Sequence, residues 1–175
     1  MSMSREPAAI LEAPPGTARL SVRRAARVRR RRALATLGSE RNAWLGDRRE
    51  PAADPGVDRF LIDLELRVSE QTPRIVFRKA AYLDLGRVSA EAAGPIRVAI
   101  SWRAAGLAPL FPVFSGSLTW DDGELRLDGY YAPPGGGLGI VADRLLLNVA
   151  ARGTAGLLLE RIETAMRGTQ PSSRR

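Results

Sequence analysis

The dipeptide Asp122-Gly123 constrains this chain more than any other feature. It separates two runs of period-two hydrophobicity, and Asp-Gly is a strong two-residue hairpin turn because glycine accepts positive φ without steric cost. Counting outward from the turn predicts the pairing of the two strands. Asp121 meets Glu124, Trp120 meets Leu125, Thr119 meets Arg126 and Leu118 meets Leu127. Ser117 then meets Asp128, Gly116 meets Gly129, Ser115 meets Tyr130 and Phe114 meets Tyr131. Every second pair is apolar or glycine, and the intervening pairs are mostly polar. A slip of one residue would destroy that separation, so the register is well specified. Two glycines therefore face each other on the apolar side and leave a hollow. Glycine in a strand marks a bend or a close approach by something else. Either the C-terminal helix or a ligand presses in at Gly116 and Gly129, the helix being the favoured occupant.

The same period runs upstream. Phe60, Ile62, Leu64, Leu66 and Val68 alternate with Leu61, Asp63, Glu65 and Arg67, which predicts a half-buried strand. Further strands are expected from Arg74 to Leu85 (stopping at Gly86), Ile96 to Arg103, Phe111 to Trp120 and Glu124 to Ala132. After the Pro/Gly run at 133–137 the apolar spacing changes to three and four, which predicts an amphipathic helix over residues 138–167 stopped by Gly168. Gly153 and Gly156 within it each cost about 1 kcal/mol relative to alanine, a cost offset if the helix packs close to a curved sheet. The reading is an α+β domain over residues 57–168: an antiparallel sheet of about five to seven strands closed by a long C-terminal helix. A disordered tail is expected at 169–175.

Residues 1–56 read differently. They carry twelve arginines against six acids, whereas the remainder is nearly balanced. Residues 1–19 are rich in proline, alanine and glycine and are expected to be disordered. The run that follows favours helix by propensity, which predicts a short helix over 21–37 with Gly38 as its stop. The stretch Asp47–Asp58 reads as a linker. Arg23, Arg24, Arg27, Arg29, Arg30, Arg31 and Arg32 could hold nucleic acid or an anionic membrane electrostatically. No interleaved aromatics accompany them, so a basic helix lying on its own domain is the plainer account.

The chain contains no histidine and no cysteine. Disulfides, thiol nucleophiles, Cys/His metal sites and imidazole acid–base chemistry are thereby excluded, and no cofactor or metal is expected. Asp121 and Asp122 belong to the hairpin turn rather than to a catalytic carboxylate pair. Lys79 is the chain's one lysine, and strict alternation places it on the face of Phe77, Ala81 and Leu83. Buried there, it could act as a base or bind an acidic ligand. A bulge near Ala80, or a sheet edge open to water, explains it equally well. Trp102, Phe111, Phe114, Trp120 and Tyr131 concentrate the large aromatics on adjacent strands, where core packing is the default and a ligand cavity the sharper alternative. No run is apolar enough to span a membrane, and no secretory signal pattern opens the chain, so a cytoplasmic location is expected.

The segment from Leu110 through Gly116 to Leu118, then Leu125 to Pro134, then Leu138-Gly139 and the helix containing Ala142-Asp143-Arg144-Leu145 resembles uncharacterised actinobacterial members of the SRPBCC superfamily, also called START-like, Bet v 1-like or polyketide-cyclase-like. The resemblance covers residues 57–168. It implies a helix-grip fold, in which an antiparallel sheet wraps a C-terminal helix with an apolar cavity between them. Family members place two short helices between the first and second strands, whereas here only Ser69–Pro73 separates the first two strands read after residue 57. Either the N-terminal segment supplies the missing elements or the grip is abbreviated. The resemblance carries no universal catalytic residue. The leading functional expectation is therefore a non-enzymatic protein that binds a small hydrophobic ligand, lipid-like or polyketide-like, using Lys79, Trp102, Phe111, Phe114, Gly116, Trp120, Gly129 and Tyr131. The alternatives are a polyketide cyclase or aromatase with Tyr131, Arg103 or Lys79 as polar contacts, and an interaction module acting through the arginine-rich arm. The ligand and enzyme readings both predict a cavity reaching Gly116 and Gly129.

Overall fold

The computed structural model describes residues 16–67, 76–106, 113–132 and 143–168. Its elements are β1 (Ala18–Ala25), α1 (Arg30–Leu37), α2 (Asn42–Leu45), β2 (Arg49–Glu50), β3 (Asp58–Arg67), β4 (Val76–Ala90), β5 (Ile96–Ala104), β6 (Val113–Asp121), β7 (Glu124–Ala132) and α3 (Asp143–Arg167). The strands form one antiparallel sheet of order β1-β7-β6-β5-β4-β3-β2. Helix α3 packs chiefly on β1 and β3, toward the two flanks, so the sheet curls round it as a grip.

The hairpin register is the one the sequence predicts, pair for pair from Asp121/Glu124 to Phe114/Tyr131. Asp122 and Gly123 both have positive φ, 43° and 81°, as a type I′ turn requires. Strand β6 begins at Val113, and Phe111 lies outside the described residues, as does the first part of the helix expected from residue 138.

The N-terminal segment departs most from expectation. Residues 18–25 form a strand rather than the start of a helix, and helix is confined to 30–37. The reason is legible afterwards: Ala18, Leu20 and Val22 alternate with Arg19, Ser21 and Arg23. Pairing along the whole of β7 outweighs the helical propensity of alanine and arginine. Leu20 becomes fully buried, and the Ser21 hydroxyl donates to Asp128 at 2.6 Å. The expected linker at 47–58 likewise holds β2, which pairs with β3 through Arg49/Phe60 and Glu50/Arg59. Two short helices thus lie between the first two strands, supplied by the N-terminal segment, and the grip is complete rather than abbreviated.

Strand β4 does not stop at Gly86 but runs on to Ala90, with a bulge between Leu85 and Val88. The carbonyls of Leu85 and Gly86 at this irregularity accept hydrogen bonds from Arg41, at 3.5 and 2.7 Å. Arg41 is buried; it also donates to Leu37 O at 3.0 Å and pairs with Asp58 at 2.7 Å. Burial lowers its pKa and Asp58 opposes that, leaving a guanidinium that stays charged. One side chain therefore ties the end of α1, the start of β3 and the β4 bulge.

The concave face is apolar: Phe60, Leu83, Leu85, Ile100, Trp102, Leu118, Leu125 and Leu127 are buried beneath Ala151, Ala155, Leu158, Leu159 and Ile162 of α3. The convex face is polar. There Arg59 forks onto Asp84 at 2.7 and 2.8 Å, a hydrogen bond that raises the arginine's pKa. The Tyr82 ring lies between the guanidinium groups of Arg59 and Arg103, at 5.5 and 4.9 Å. Along the edge of β3 left uncovered by β2, Thr154 and Arg161 of α3 donate to the carbonyls of Glu65 and Asp63, which blunts a strand edge.

Gly168, at φ 77°, ends α3 as expected. Gly156 does not mark a close approach to the sheet, because a Cβ there would meet nothing within 4 Å. Gly156→Ala is therefore expected to raise the unfolding free energy by about 1 kcal/mol, the intrinsic helix-propensity difference, measured by urea denaturation.

Candidate ligand-binding site

The pairings of neighbouring strands place the concave side chains in rows across the sheet. One row is Phe60, Leu83, Trp102, Phe114, Tyr131 and Ala18. The next row inward holds Leu85, Ile100, Gly116, Gly129 and Leu20. The next row outward holds Ile62, Ala81 and Ala104. The connections β3–β4, β5–β6 and β7–α3 all leave the sheet at this outer end.

Trp102 and Phe114 stack with centroids 4.1 Å apart and planes 18° from parallel. Trp102 and Tyr131 are 2% and 4% exposed, and Phe114 is fully buried. The hollow expected at the glycine pair is filled, and neither the helix nor a ligand fills it. A Cβ on either glycine would lie 2.7 Å from Phe114 Cζ, so the phenylalanine two residues earlier in β6 lies over both. The backbones are also close: the same Cβ would meet Asp128 O at 2.2 Å from Gly116, or Ser115 O at 2.3 Å from Gly129. The glycines serve a tight coil of the sheet covered by an aromatic ring. A cavity reaching them is excluded, so the cavity that both the ligand and the enzyme readings predict at the glycine pair is absent, and a ligand could be held only outward of Phe114.

Trp120 does not join this cluster. It lies six residues along β6 from Phe114, roughly 20 Å at strand rise, and its indole N–H donates to Ala26 O at 3.0 Å. There it plugs the opposite end. Lys79 lies opposite Leu64, beyond Ala81 toward the outer end, and its side chain is exposed; the irregularity in β4 is at Leu85/Val88, not at Ala80. Arg103, a polar contact of the cyclase alternative, is on the convex face over Tyr82.

The arginine run is divided by the fold. Arg24 pairs with Glu163 of α3 at 2.8 Å, and Arg23 approaches Glu124 at 4.0 Å. Arg32 donates to the carbonyls of Met166 and Ala165 at 3.0 and 2.6 Å, capping the C-terminus of α3 where a cation is favoured. Arg30 donates to the carbonyls of Gly94 and Glu91. Arg27, Arg29 and Arg31 are exposed, with no ion pair among the described residues.

Arg41 and the Trp102 indole are the features sequence reasoning missed. Nothing in the residues around Arg41 marks it as buried. The Trp102 Nε1–H is buried and has no hydrogen-bond partner, which no pattern in the sequence signals. A separate cleft of about 360 Å³ lies outside the grip, beside β3, lined by residues including Leu45, Arg48, Leu61, Glu65, Arg78 and Arg161. Ile62 of the outer row also lines it, so it adjoins the outer end from the β3 side, but its rim is polar and no member of the aromatic row contributes to it. Among the described residues no group of acids could hold a metal ion, and no helix is long and apolar enough to cross a membrane.

No family model matches the chain, and no curated protein does. Among solved structures, a conserved protein from Geobacillus kaustophilus is similar at 10% identity and a TM-score of 0.43, over 89% of this chain and 96% of that one. DynU16, a protein in the dynemicin biosynthetic locus, is similar at 16% identity and a TM-score of 0.41, over 91% of this chain and 50% of DynU16. This chain thus spans half the length of DynU16. At these identities and TM-scores neither likeness assigns a family or an activity to it.

Proposed function

We propose that this protein is a START-like carrier that binds one small, mainly apolar molecule, lipid-like or polyketide-like, at the outer end of the grip. The observation that carries the reading is the contrast between the two ends. At the inner end the donors of Trp120 and Arg32 are answered, by Ala26 O and by the last carbonyls of α3, and the one other buried group without a partner among the described residues is the Thr36 hydroxyl of α1. At the outer end an aromatic row holds a buried donor with no partner. Natural cores rarely leave such a group unmet, and functional sites are a recurrent reason when they do.

A carrier is favoured over an enzyme because, among the described residues, the two outer rows contain one ionisable side chain, the phenol of Tyr131. With Phe114 over the glycines, the ligand would have to enter at the outer row beside Ala81 and Ala104; Ala81 is fully buried, so binding requires the side chains there to part. The neutral fluorescent probe N-phenyl-1-naphthylamine is expected to bind the full chain saturably, one to one, and to raise its melting temperature through linkage. Ala104→Phe, which adds bulk to the outer row, is expected to weaken that binding at least tenfold. Absence of saturable binding, or equal binding by Ala104→Phe, would overturn the reading.

A further inference from the structure

We infer that the ligand presents a neutral hydrogen-bond acceptor, a carbonyl or ether oxygen, to the indole N–H of Trp102; this narrows the ligand-binding reading above and rests on it. An indole nitrogen only donates, so its partner must be an acceptor. The fold answers its other two indoles, Trp44 to Thr36 O at 3.1 Å and Trp120 to Ala26 O at 3.0 Å. Trp102 alone is left, although it is 2% exposed. Its cross-strand neighbours are Leu83 and Phe114, which carry no acceptor. Phe114 stacks on the face of the indole, and the N–H lies in the ring plane, so the stack does not answer the buried donor.

The acceptor is neutral because, among the described residues, no side chain in the two outer rows carries a positive charge. Burying a carboxylate against one N–H and hydrocarbon is far costlier than burying a ketone. Lys79 is one row farther out and exposed. An anionic group would sit there, at the rim, rather than at the indole.

Three probes of one ring system separate these terms: 2-acetylnaphthalene, 2-ethylnaphthalene and 2-naphthoate, titrated by calorimetry against the full chain. The ketone is expected to bind about tenfold more tightly than the other two, the gain from answering one desolvated donor. It alone should move the Trp102 indole resonance downfield in a ¹H–¹⁵N spectrum. In Trp102→Phe the ketone's advantage over the ethyl compound should vanish, whatever the substitution does to the affinity of both. If that variant fails to fold, the affinity ratio and the indole shift of the original chain decide. Equal binding of ketone and ethyl compound with an unmoved indole would overturn the inference and leave ligand binding standing, the donor then being answered by water alone. Failure of all three to bind would instead overturn the ligand-binding reading.

Discussion

Gly116→Ala is expected to destabilise the fold by about 3 kcal/mol or more, at the upper end of what overpacking a close-packed interior costs. The added methyl would lie 2.2 Å from Asp128 O and 2.7 Å from Gly129 Cα. Both are backbone atoms of a paired strand, so relief requires the strands to move apart. The third neighbour, Phe114 Cζ at 2.7 Å, could swing away only by giving up its stack on Trp102. Gly129→Ala meets the mirror arrangement, with Ser115 O at 2.3 Å, and the two variants should behave alike. At this chain length the melting temperature should fall by roughly 6–12 °C. A hollow kept open for a ligand would give the opposite sign, because a methyl placed in empty space stabilises. A rise in melting temperature for either variant would therefore reinstate the hollow that Phe114 otherwise fills.

Arg41→Met is expected to cost about 3 kcal/mol, though it preserves much of the side chain's length and volume. The guanidinium answers the carbonyls of Leu37 and Gly86 at 3.0 and 2.7 Å and makes an ion pair with Asp58. Removing it leaves buried carbonyls unmet, each worth about 1–3 kcal/mol when fully desolvated. Asp58 contributes less to the loss, since it is 39% exposed and water can solvate it. Arg41→Lys should recover little, because a single ammonium cannot fork to sites on α1, β3 and β4 at once. Urea denaturation of the three forms measures this. A loss under 1 kcal/mol for Arg41→Met would show that the bulge carbonyls find other donors.

The hairpin was legible to the last pair because it is a local problem. A type I′ turn fixes the register, and alternation from Phe114 to Tyr131 leaves one solution. The strand at 18–25 was not legible in the same way. Its partner β7 is more than a hundred residues away, and its composition favours helix until the alternation of Leu20 and Val22 is weighed against it. The glycine pair shows a different limit. Its place on the concave face followed from the pattern, but its occupant did not, because which side chain covers a strand glycine depends on a rotamer of Phe114. Lys79 was placed on the correct face and yet reaches water, since the row it occupies lies beyond the covered part of the sheet. Of the aromatic set, Trp102, Phe114 and Tyr131 come together while Trp120 closes the far end. Position along the strand separated residues that share a face. Buried arginines such as Arg41 leave no trace in a periodic pattern, because hydrogen bonds to distant carbonyls make their burial tolerable.

The division of the grip into a closed end and a binding end can be read from three signals in one spectrum. The indoles of Trp44, Trp102 and Trp120 give three ¹H–¹⁵N side-chain resonances, and the one missing from Trp102→Phe identifies Trp102. On titration with 2-acetylnaphthalene, the Trp102 resonance should shift downfield to saturation while those of Trp44 and Trp120, already bonded to Thr36 O and Ala26 O, stay in place. Movement of the Trp120 or Trp44 resonance with Trp102 unchanged would contradict the account.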